Sequence, residues 1–348
     1  MDQIKGAQSI MFREAPYLIS AASVAGSKEA DGPIGKLFDV TDKDDLFGAQ
    51  TWEEAESNMQ KEACVLAAGK GHVDLKKIRY LFGGDLLRQG IATSMGVEAL
   101  QIPMFGLYGA CSTSGEALAL ASMSAAAGYG GTMIAVTSSH FGSAEKEFRF
   151  PLGYANQRPL SSHWTVTGSG AFLVQSAEEY RKQNTKSYFS NIRITGVTVG
   201  KIVDYGLKDS QNMGACMAPA AMDTIVQNFQ DMERKEKDYD RIITGDLGSI
   251  GRTILFDLIR EKGYDICEKH MDCGMTIFDK ERQDTHAGGS GCGCAAVTLA
   301  SYVLPKLEKG EWKRVLFVPT GALMSTVSFN EGASVPGIAH GIVLESDA

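Results

Sequence analysis

The segment Gly106-Leu-Tyr-Gly-Ala-Cys111-Ser-Thr-Ser-Gly115 decides the fold of this chain, because a second segment in the other half repeats its pattern. The second segment reads Gly289-Ser-Gly-Cys-Gly-Cys294-Ala-Ala296. Both are glycine-rich loops that lead through a cysteine into small residues. An apolar run then ends at Thr137 in the first half and at Thr320 in the second, at the same distance in sequence from Cys111 and from Cys294. Equal spacing of this kind is typical of a duplicated structural unit.

The residues upstream extend the repeat. In each half a predicted helix leads into an apolar strand that ends in Gly-Asp, at Asp85 in the first half and at Asp246 in the second. Between this aspartate and the loop cysteine the second half is longer than the first. We place the extra residues around 267–284.

Helices and strands alternate along the chain. The first helix is predicted over 51–68, where Thr51 and Glu54 form a capping box. Two more are predicted over 218–232, with a proline in the first turn, and over 253–262, with a glycine after the last residue. Apolar, β-branched runs predict strands between the helices. These runs lie at 17–21, 77–82, 132–137, 171–175, 192–199, 240–244 and 314–319.

This alternation predicts a layered α/β fold. With the repeat, it predicts a five-layer αβαβα sandwich made of two pseudo-symmetric duplicated halves, which we assign to residues 1–180 and 181–348. Two helices that pack face to face between sheets need small residues, and the alanines and glycines after Cys111 supply them.

Composition narrows the function classes. The 348 residues carry a formal net charge of −8 and no long basic block, so no nucleic-acid partner is expected. No uncharged apolar run is long enough to span a bilayer and the N-terminus has no signal-peptide pattern, so we expect a soluble protein without a signal or transmembrane segment. Seven cysteines, an odd number, argue against a disulfide framework. Neither their spacing nor the glycine loops match common zinc or nucleotide motifs, and no metal site is expected.

Cys111 is the strongest candidate for chemistry. It directly precedes a predicted helix start, where backbone N–H groups and the helix dipole lower a thiol pKa and hold an anion. A nucleophile and a buried structural thiol both fit this position. Because duplicated halves bring their equivalent loops to one crevice, we expect Cys111 to meet the second glycine-rich loop.

The motifs resemble the thiolase and β-ketoacyl synthase superfamily. The resemblance is carried by Tyr108-Gly-Ala-Cys111-Ser-Thr-Ser114, by Trp164-Thr-Val-Thr-Gly168-Ser-Gly170-Ala171 and by the loop around Cys292. A further stretch, from Ser138-Ser-His140 to Arg158-Pro159, is similar to one family within it, the stage V sporulation protein AD family, and this similarity spans 8–345. The resemblance implies a thiolase-like fold and a homodimer built on the first-half sheet.

The superfamily resemblance also implies site roles. A nucleophilic cysteine there works with two polar partners, commonly His with His or His with Asn. Cys111 matches the nucleophile, whereas Asp246 and Cys292 stand at the partner positions, with His286 as a nearby alternative for the second. We expect Asp246 to be anionic and to raise the pKa of Cys111. No catalytic residues are therefore expected, and Cys111 is interpreted as a vestigial nucleophile position.

The narrower resemblance implies a binding protein for dipicolinic acid that takes part in its uptake into the developing spore. It also implies a peripheral location at the forespore or spore inner membrane, beside the other stage V sporulation A-operon membrane proteins. A flat pyridine with two carboxylates needs an apolar slot, backbone N–H groups and a cation. The expected ligand-binding residues are Cys111, Ser112, Asp246, His286, Cys292, His140, Arg149 and Lys36, with Arg88, Arg158 and His163 as further cationic candidates.

No cofactor is expected apart from calcium that arrives chelated by dipicolinate, for which Asp246 and Asp85 are candidate oxygen ligands. Two alternatives stay open. One is an acyltransferase or β-ketoacyl-synthase-like enzyme that uses Cys111 as nucleophile, with Asp246 or His286 as base. The other is an architectural dimer whose pocket is vestigial.

Overall fold

A computed structural model describes residues 3–148, 158–182 and 187–347, which form sheets separated and covered by helices. The strands are β1 Ile4–Lys5, β2 Ser9–Met11, β3 Tyr17–Ala25, β4 Val40–Thr41, β5 Tyr80–Gly84, β6 Met104–Gly106, β7 Thr132–Ser139, β8 Trp164–Thr165, β9 Gly168–Gln175, β10 Ile192–Thr198, β11 Arg241–Gly245, β12 His270–Asp272, β13 Gly289–Ser290, β14 Arg314–Ala322, β15 Gly337–Ala339 and β16 Gly341–Ser346. The helices are α1 Ser27–Ala30, α2 Trp52–Lys70, α3 Ile91–Glu98, α4 Thr113–Ala126, α5 Phe141–Phe148, α6 Ala177–Lys182, α7 Met213–Asp231, α8 Gly248–Glu261, α9 Cys273–Ile277, α10 Lys280–Gln283, α11 Cys292–Thr298, α12 Leu304–Glu308 and α13 Thr326–Asn330.

The sheet topology is the same in the two halves. The first half has the strand order β6-β5-β7-β9-β3, and the second has β12-β11-β14-β16-β10. In each half the first three strands are parallel and the last two are antiparallel to their neighbours. The sheets meet at one edge, where Tyr17 of β3 pairs with Arg193 of β10. This repeated order confirms the predicted duplication.

Helices form three layers around the sheets. α2 and α3 cover the outer face of the first sheet, α7 and α8 cover that of the second, and α4 and α11 pack against each other between the sheets. The predicted five-layer α/β sandwich is confirmed. The boundary placed between residues 180 and 181 falls inside α6 and stays a prediction. Within the described ranges, no helix is long and apolar enough to cross a membrane.

Small residues permit the close approach of the central helices to the sheets. A Cβ atom built on Gly170 of β9 would lie 2.7 Å from the Cβ of Ala296 in α11. Ala117 and Ala121 of α4 are fully buried in the same central layer. Because protein interiors are close-packed, a larger side chain here would displace a helix from its sheet. The alanine and glycine excess after Cys111 therefore has the role predicted for it.

The capping box of α2 forms only in part. Thr51 accepts a hydrogen bond from the Glu54 N–H at 3.2 Å, as predicted. The Glu54 carboxylate, however, accepts from the Gln50 N–H at 3.3 Å and not from Thr51. One of the two reciprocal bonds is thus displaced by one residue.

Two helices of the second half begin earlier than predicted. α7 starts at Met213, because Asn212 caps it by accepting from the Ala215 N–H at 3.3 Å, and Pro219 therefore lies inside the helix and not in its first turn. α8 starts at Gly248, because the buried carboxylate of Asp272 accepts the N–H groups of Leu247 and Gly248. In the region where extra residues were predicted, β12 is the counterpart of β6, so the placement is corrected: the extra residues lie after β12 and form α9 and α10.

Candidate binding site beside Cys111

Cys111 lies where the loop after β6 enters α4. Its side chain is 6% exposed. The preceding Ala110 has a φ of 48°, a left-handed conformation that is strained for alanine. Hydrogen bonds from the Ser112 and Thr113 N–H groups to the carbonyls of Gly109 and Ala110, at 3.0 and 3.2 Å, hold this turn. The turn places Cys111 in the wall of a cavity.

The cavity beside Cys111 is narrow and is lined from both halves of the chain. Its volume is about 60 Å³, which is enough for several waters. Leu86, Ala144 and Phe148 supply apolar wall, while Glu145 and Gln211 supply polar groups. No basic side chain lies among the described residues of this lining. The cavity thus offers an apolar slot with a carboxylate beside the thiol.

A wider space of about 280 Å³ adjoins the cavity and shares Tyr108 and Phe148 with it. Arg88 lines this outer space. Its guanidinium lies 3.1 Å from the Glu147 carboxylate and donates to the Thr326 hydroxyl at 2.7 Å. Among the described residues, a cation therefore stands beside the cavity, in the outer space, and none lines the cavity itself.

Asp246 lies against the thiol from the second half. It follows β11 with a φ of 72°, and one carboxylate oxygen accepts the Gly291 N–H at 2.8 Å. The Cys294 and Cys111 thiols lie close enough to this carboxyl group to oppose the rise in its pKa. Burial, and then the nearby Asp272, raise the pKa of Asp246 well above its ordinary value. The expected anion is corrected, because burial favours the protonated carboxyl group.

The thiol of Cys111 is held in its protonated form. Burial raises the pKa of Cys111 well above its ordinary value, and Asp246 raises it further, while the Gly291 N–H opposes the shift. The predicted direction is confirmed, with burial as the main cause. The helix start does not offset this burial, because the first N–H groups already bind loop carbonyls.

Cys292 lies in the same apolar cluster as Cys111, together with Leu86 and Ala144. Its thiol donates to the carbonyl of Ser138 at 2.9 Å. Burial, and then Cys111, raise the pKa of Cys292 well above its ordinary value. Cys292 is therefore a neutral donor to the backbone and not a proton acceptor for Cys111.

The sequence of the chain matches one family along nearly its whole length. Residues 6–345 match the model described as stage V sporulation protein AD. The chain is also 40% identical over 343 residues to Stage V sporulation protein AD of Bacillus subtilis (strain 168), a match that covers 99% of this chain and 98% of that protein. The chain belongs to the stage V sporulation protein AD family.

Solved structures show which fold this family member has. Human mitochondrial 3-ketoacyl-CoA thiolase aligns with a TM-score of 0.60 and 11% identity, over 96% of this chain and 99% of that chain. A variant of OleA from Xanthomonas campestris aligns with a TM-score of 0.58 and 13% identity, over 96% and 99%. 3-Oxoacyl-[acyl-carrier-protein] synthase III of Aquifex aeolicus VF5 aligns with a TM-score of 0.56 and 12% identity, over 95% and 99%. At these identities the likeness shows the thiolase-like fold alone.

In this family member, Ser112 holds the loop of Cys111. Its hydroxyl donates to the Gly109 carbonyl at 2.7 Å and its side chain is buried. The expectation that the Ser112–Ser114 helix start supplies free N–H groups is corrected for Ser112 and Thr113, whose N–H groups bind carbonyls of the same turn.

His140 and Lys36 are not brought to the cavity lining. His140 follows β7 and is buried; with its Nδ1 accepting the Gly142 N–H at 3.0 Å, its Nε2 donates to the Asp45 carbonyl at 2.7 Å. Burial lowers the pKa of His140, so the neutral ring is favoured. Lys36 is exposed on a short 3₁₀ turn. Their ligand roles stay predictions.

The remaining predicted residues lie outside the cavity or outside the described residues. His286 contacts the Pro159 carbonyl at 2.9 Å and Asp284 at 3.1 Å. Arg158 lies 4.8 Å from the ring centre of Trp164 and binds Asp284 at 3.1 Å. His163 is buried. Arg149 falls outside the described residues, so its role stays a prediction.

Asp85 also accepts hydrogen bonds from within the protein. Its two carboxylate oxygens accept the Leu87 N–H, the Thr93 N–H and the Thr93 hydroxyl at 2.6 to 2.8 Å. It is buried and absent from the described cavity lining. The calcium contact expected at Asp85 stays a prediction.

Sequence reasoning missed Glu145, Gln211 and Met324 as cavity residues. The repeat contained a signal for one of them, because aligning Cys111 with Cys294 equates Met324 with Phe141, which begins α5 directly after the predicted crevice residue His140. Gln211 lies in the loop before α7. No motif of the repeat includes this loop, so the sequence did not indicate Gln211.

Proposed function

We propose that this chain binds dipicolinic acid in the cavity beside Cys111 and takes part in its uptake into the developing spore. The observation that carries the proposal is the cavity itself, an apolar slot beside which the Cys111 thiol and the Asp246 carboxyl group are both held in neutral forms. Membership of the stage V sporulation protein AD family supports the sporulation role.

The neutral thiol favours binding over acyl transfer. Nucleophilic cysteines need the thiolate, which helix termini and nearby cations stabilise. Here burial and Asp246 oppose the thiolate of Cys111. The thiol of Cys292 donates a hydrogen bond to a backbone carbonyl. A pocket that retains the position of a nucleophile without its activation is suited to holding a ligand unchanged.

The lining favours the calcium chelate over the free dianion. A free dicarboxylate would enter a described lining that holds the Glu145 carboxyl group and no basic side chain, so no described group there offsets its two negative charges. In the chelate, calcium neutralises the two ligand carboxylates and accepts further oxygen ligands. Glu145 would supply such an oxygen, and Arg88 at the entrance would attract the outer carboxylate.

We place the protein, by the same proposal, at the forespore or spore inner membrane beside the other stage V sporulation A-operon membrane proteins. The family membership supports this placement. Crosslinking in sporulating cells followed by identification of the captured proteins tests it. Capture of those membrane proteins supports the placement, and recovery of the chain without them opposes it.

Calorimetric titration tests the binding proposal. Dipicolinate is titrated with and without calcium into the wild type, Cys111→Ala and Glu145→Gln, with Lys36→Ala as a control because Lys36 is exposed away from the lining. We expect saturable, 1:1 binding that is tighter with calcium and is weakened about tenfold or more in Glu145→Gln only when calcium is present. Benzene-1,3-dicarboxylate, which lacks the ring nitrogen, serves as the matched ligand.

Absence of saturable heat with either form would overturn the binding proposal. Equal affinity for dipicolinate and benzene-1,3-dicarboxylate in the presence of calcium would contradict the proposal that the calcium chelate is the bound form. A loss of binding in Lys36→Ala would place the ligand elsewhere.

An acyltransferase or β-ketoacyl-synthase-like activity is the alternative, favoured by one observation: Cys111 is the thiol in the cavity wall. A protonated Asp246 would also be able to donate a hydrogen bond to a thioester oxygen. Intact-protein mass spectrometry after incubation with acetyl-coenzyme A decides between them. An acetyl adduct that disappears in Cys111→Ala supports the enzyme, and an unmodified mass supports the binder.

A further inference from the structure

A buried glutamate lies behind the cavity wall. Glu56 of α2 is fully buried. Its two carboxylate oxygens each lie 2.8 Å from a serine hydroxyl, one of Ser138 in β7 and one of Ser143 in α5. Burial, and then Asp85, raise the pKa of Glu56 to about 8. Such a carboxyl group changes its charge near neutral pH.

A chain of hydrogen bonds connects Glu56 to a second buried carboxylate. The Gln60 side-chain amide donates to the Ser138 hydroxyl at 2.7 Å and to the Thr93 hydroxyl at 2.9 Å. The Thr93 hydroxyl in turn donates to Asp85 at 2.6 Å. We call Glu56, Gln60, Thr93, Ser138, Ser143 and Asp85 the Glu56–Asp85 network.

The donors in this network fix where a single proton resides. Burial raises the pKa of Asp85, and the three hydrogen bonds that it accepts oppose this rise. Among the described residues, Glu56 accepts from the two serine hydroxyls, and Ser143 also lies 3.2 Å from the His140 carbonyl. When Glu56 carries a proton on the oxygen that faces Ser143, it donates to Ser143, and Ser143 is free to donate to His140. When Glu56 is ionised, Ser143 must donate to Glu56, and the bond to His140 is lost.

Both ends of the network continue directly into the cavity wall. Ser143 is followed in α5 by Ala144 and Glu145, which line the cavity. Asp85 is followed by Leu86, which lines it as well. Leu86 and Ala144 also pack against Cys111 in one apolar cluster. A change in the hydrogen bonds of the network therefore acts on the two elements that face the ligand.

We propose that the Glu56–Asp85 network is a proton-sensitive switch for the cavity, in which protonated Glu56 holds α5 in the binding conformation and its ionisation weakens the binding of dipicolinate. The ligand readout rests on the proposed function. Ionisation acts through α5, which loses the Ser143 contact to the His140 carbonyl.

Other titratable groups face the network or the cavity. Glu53 and Asp85 act on Glu56 electrostatically, and Cys292 is affected by Glu56 in turn. Glu145 lies in the cavity lining, and His140 starts the turn that carries Ser143. The test therefore compares pH profiles of variants and does not assign the wild-type profile to one group.

The measurement is dipicolinate affinity by calorimetry from pH 6 to 9.5, in buffers of different ionisation enthalpy so that bound protons are counted. We expect the wild type to take up a proton on binding above the midpoint, with affinity falling towards tenfold per pH unit there. Glu56→Gln should bind dipicolinate across this pH range with the affinity that the wild type has at low pH, so the fall in affinity with pH should be lost. Glu29→Gln is the matched control: Glu29 is also fully buried, with a pKa raised to about 8 by burial, but it bonds Thr167 outside the network.

Two readouts need no ligand. Infrared spectroscopy should show protonated-carboxyl absorbance that titrates with a midpoint near 8, of which one part is lost in Glu56→Gln and another part in Glu29→Gln. Tryptophan emission should change over the same range, because Trp52 packs on Gly142 and Trp164 stacks at 4.0 Å on Phe141 at the start of α5.

The outcomes separate the switch from the proposed function. If dipicolinate does not bind, the proposed function is overturned. If the infrared band and the emission change still depend on Glu56 in that case, the proton-driven change in α5 is retained. An unchanged affinity slope in Glu56→Gln, or loss of the slope in Glu29→Gln, would overturn the switch. A carboxyl band that titrates below pH 6 would overturn it as well.

Discussion

Cys111 and Asp246 illustrate how burial controls the chemistry of a residue. A thiol at a helix start is ordinarily acidified by the helix dipole. Here the N–H groups of Ser112 and Thr113 are already bonded within the turn, and the neighbouring carboxyl group is itself buried. Both groups therefore keep their protons, and the site resembles a nucleophile position without its activation.

Alkylation measures this effect at Cys111. With iodoacetamide at pH 7.5, we expect Cys111 to be modified much more slowly than Cys267, which is partly exposed, because burial raises the pKa of Cys111 and limits access. Asp246→Asn should leave the rate at Cys111 nearly unchanged at this pH, because Asp246 is itself held in its neutral form. Peptide mass spectrometry over time gives both rates. Equal rates for the two thiols in the wild type would contradict the account.

Glu29 predicts a pH dependence of stability. Its folded-state pKa is raised from 4.5 to about 8 by burial, so between these values the folded chain holds a proton that the unfolded chain has lost. The free energy of unfolding should therefore fall as pH rises from about 5 to 8, by about 2–4 kcal/mol for this group. Glu29→Gln should remove that share and be the more stable protein at pH 8.5.

Denaturant unfolding at pH 5.5, 7 and 8.5 checks the prediction. The exposed Glu62→Gln on α2 is the control and should keep the full wild-type fall. If Glu29→Gln and the wild type lose stability in parallel, the buried carboxyl group is not the cause.

Sequence reasoning could place Cys111, Asp246 and Cys292 at one site, because the repeat relates the ends of equivalent strands and loops. It could not place His140 or Lys36, since the partners that hold them away from the cavity come from tertiary packing. The protonation of Asp246 was also beyond it, because complete burial decides that state and has no signature in a single residue type.

At the scale of elements, Gly170 in β9 fixes the spacing between a sheet and a central helix. Gly170→Ala would bring a Cβ to 2.7 Å from Ala296, so we expect a loss of about 1–3 kcal/mol in stability. Gly69→Ala is the matched control, because it lies in α2 with nothing within 4 Å of the added Cβ, and it should gain about 0.5–1 kcal/mol.

Thermal and denaturant unfolding of the two glycine variants compare these effects. If Gly170→Ala is as stable as the wild type, the helices are not tightly packed on the sheet. If Gly69→Ala loses stability instead, the difference between the sites does not arise from packing.

Helix starts show what the sequence leaves open at this scale. The β-branched runs predicted the core strands near their observed positions, because burial on both faces requires apolar residues throughout. The starts of α7 and α8 were missed, since Asn212 and Asp272 act as caps ahead of the predicted first turns. Asp272 is remote in sequence from the start of α8, so no local pattern reveals its capping role.

At the scale of the molecule, the two halves differ at their outer sheet edges. All residues of the edge strand β6 are exposed, including Phe105 at 53%, whereas those of its counterpart β12 are partly or fully buried. For the homodimer expected from the sequence, we propose this edge as the interface. We expect light scattering to give twice the chain mass and Met104→Asp to give the monomer.

Leu160→Asp, at another exposed apolar residue, is the control for the dimer and should leave the mass doubled. A monomeric wild type at micromolar concentration would contradict the dimer. A dimer that persists in Met104→Asp would place the interface away from β6.

The central claim is that the cavity beside Cys111 holds dipicolinate as an unmodified ligand. A crystal structure with dipicolinate and calcium at saturating concentration tests this most directly. The account predicts the pyridine ring between Leu86, Ala144 and Phe148, with calcium at Glu145 and no bond to the sulfur of Cys111. A ligand bound at any other place, or a covalent adduct on Cys111, would contradict it.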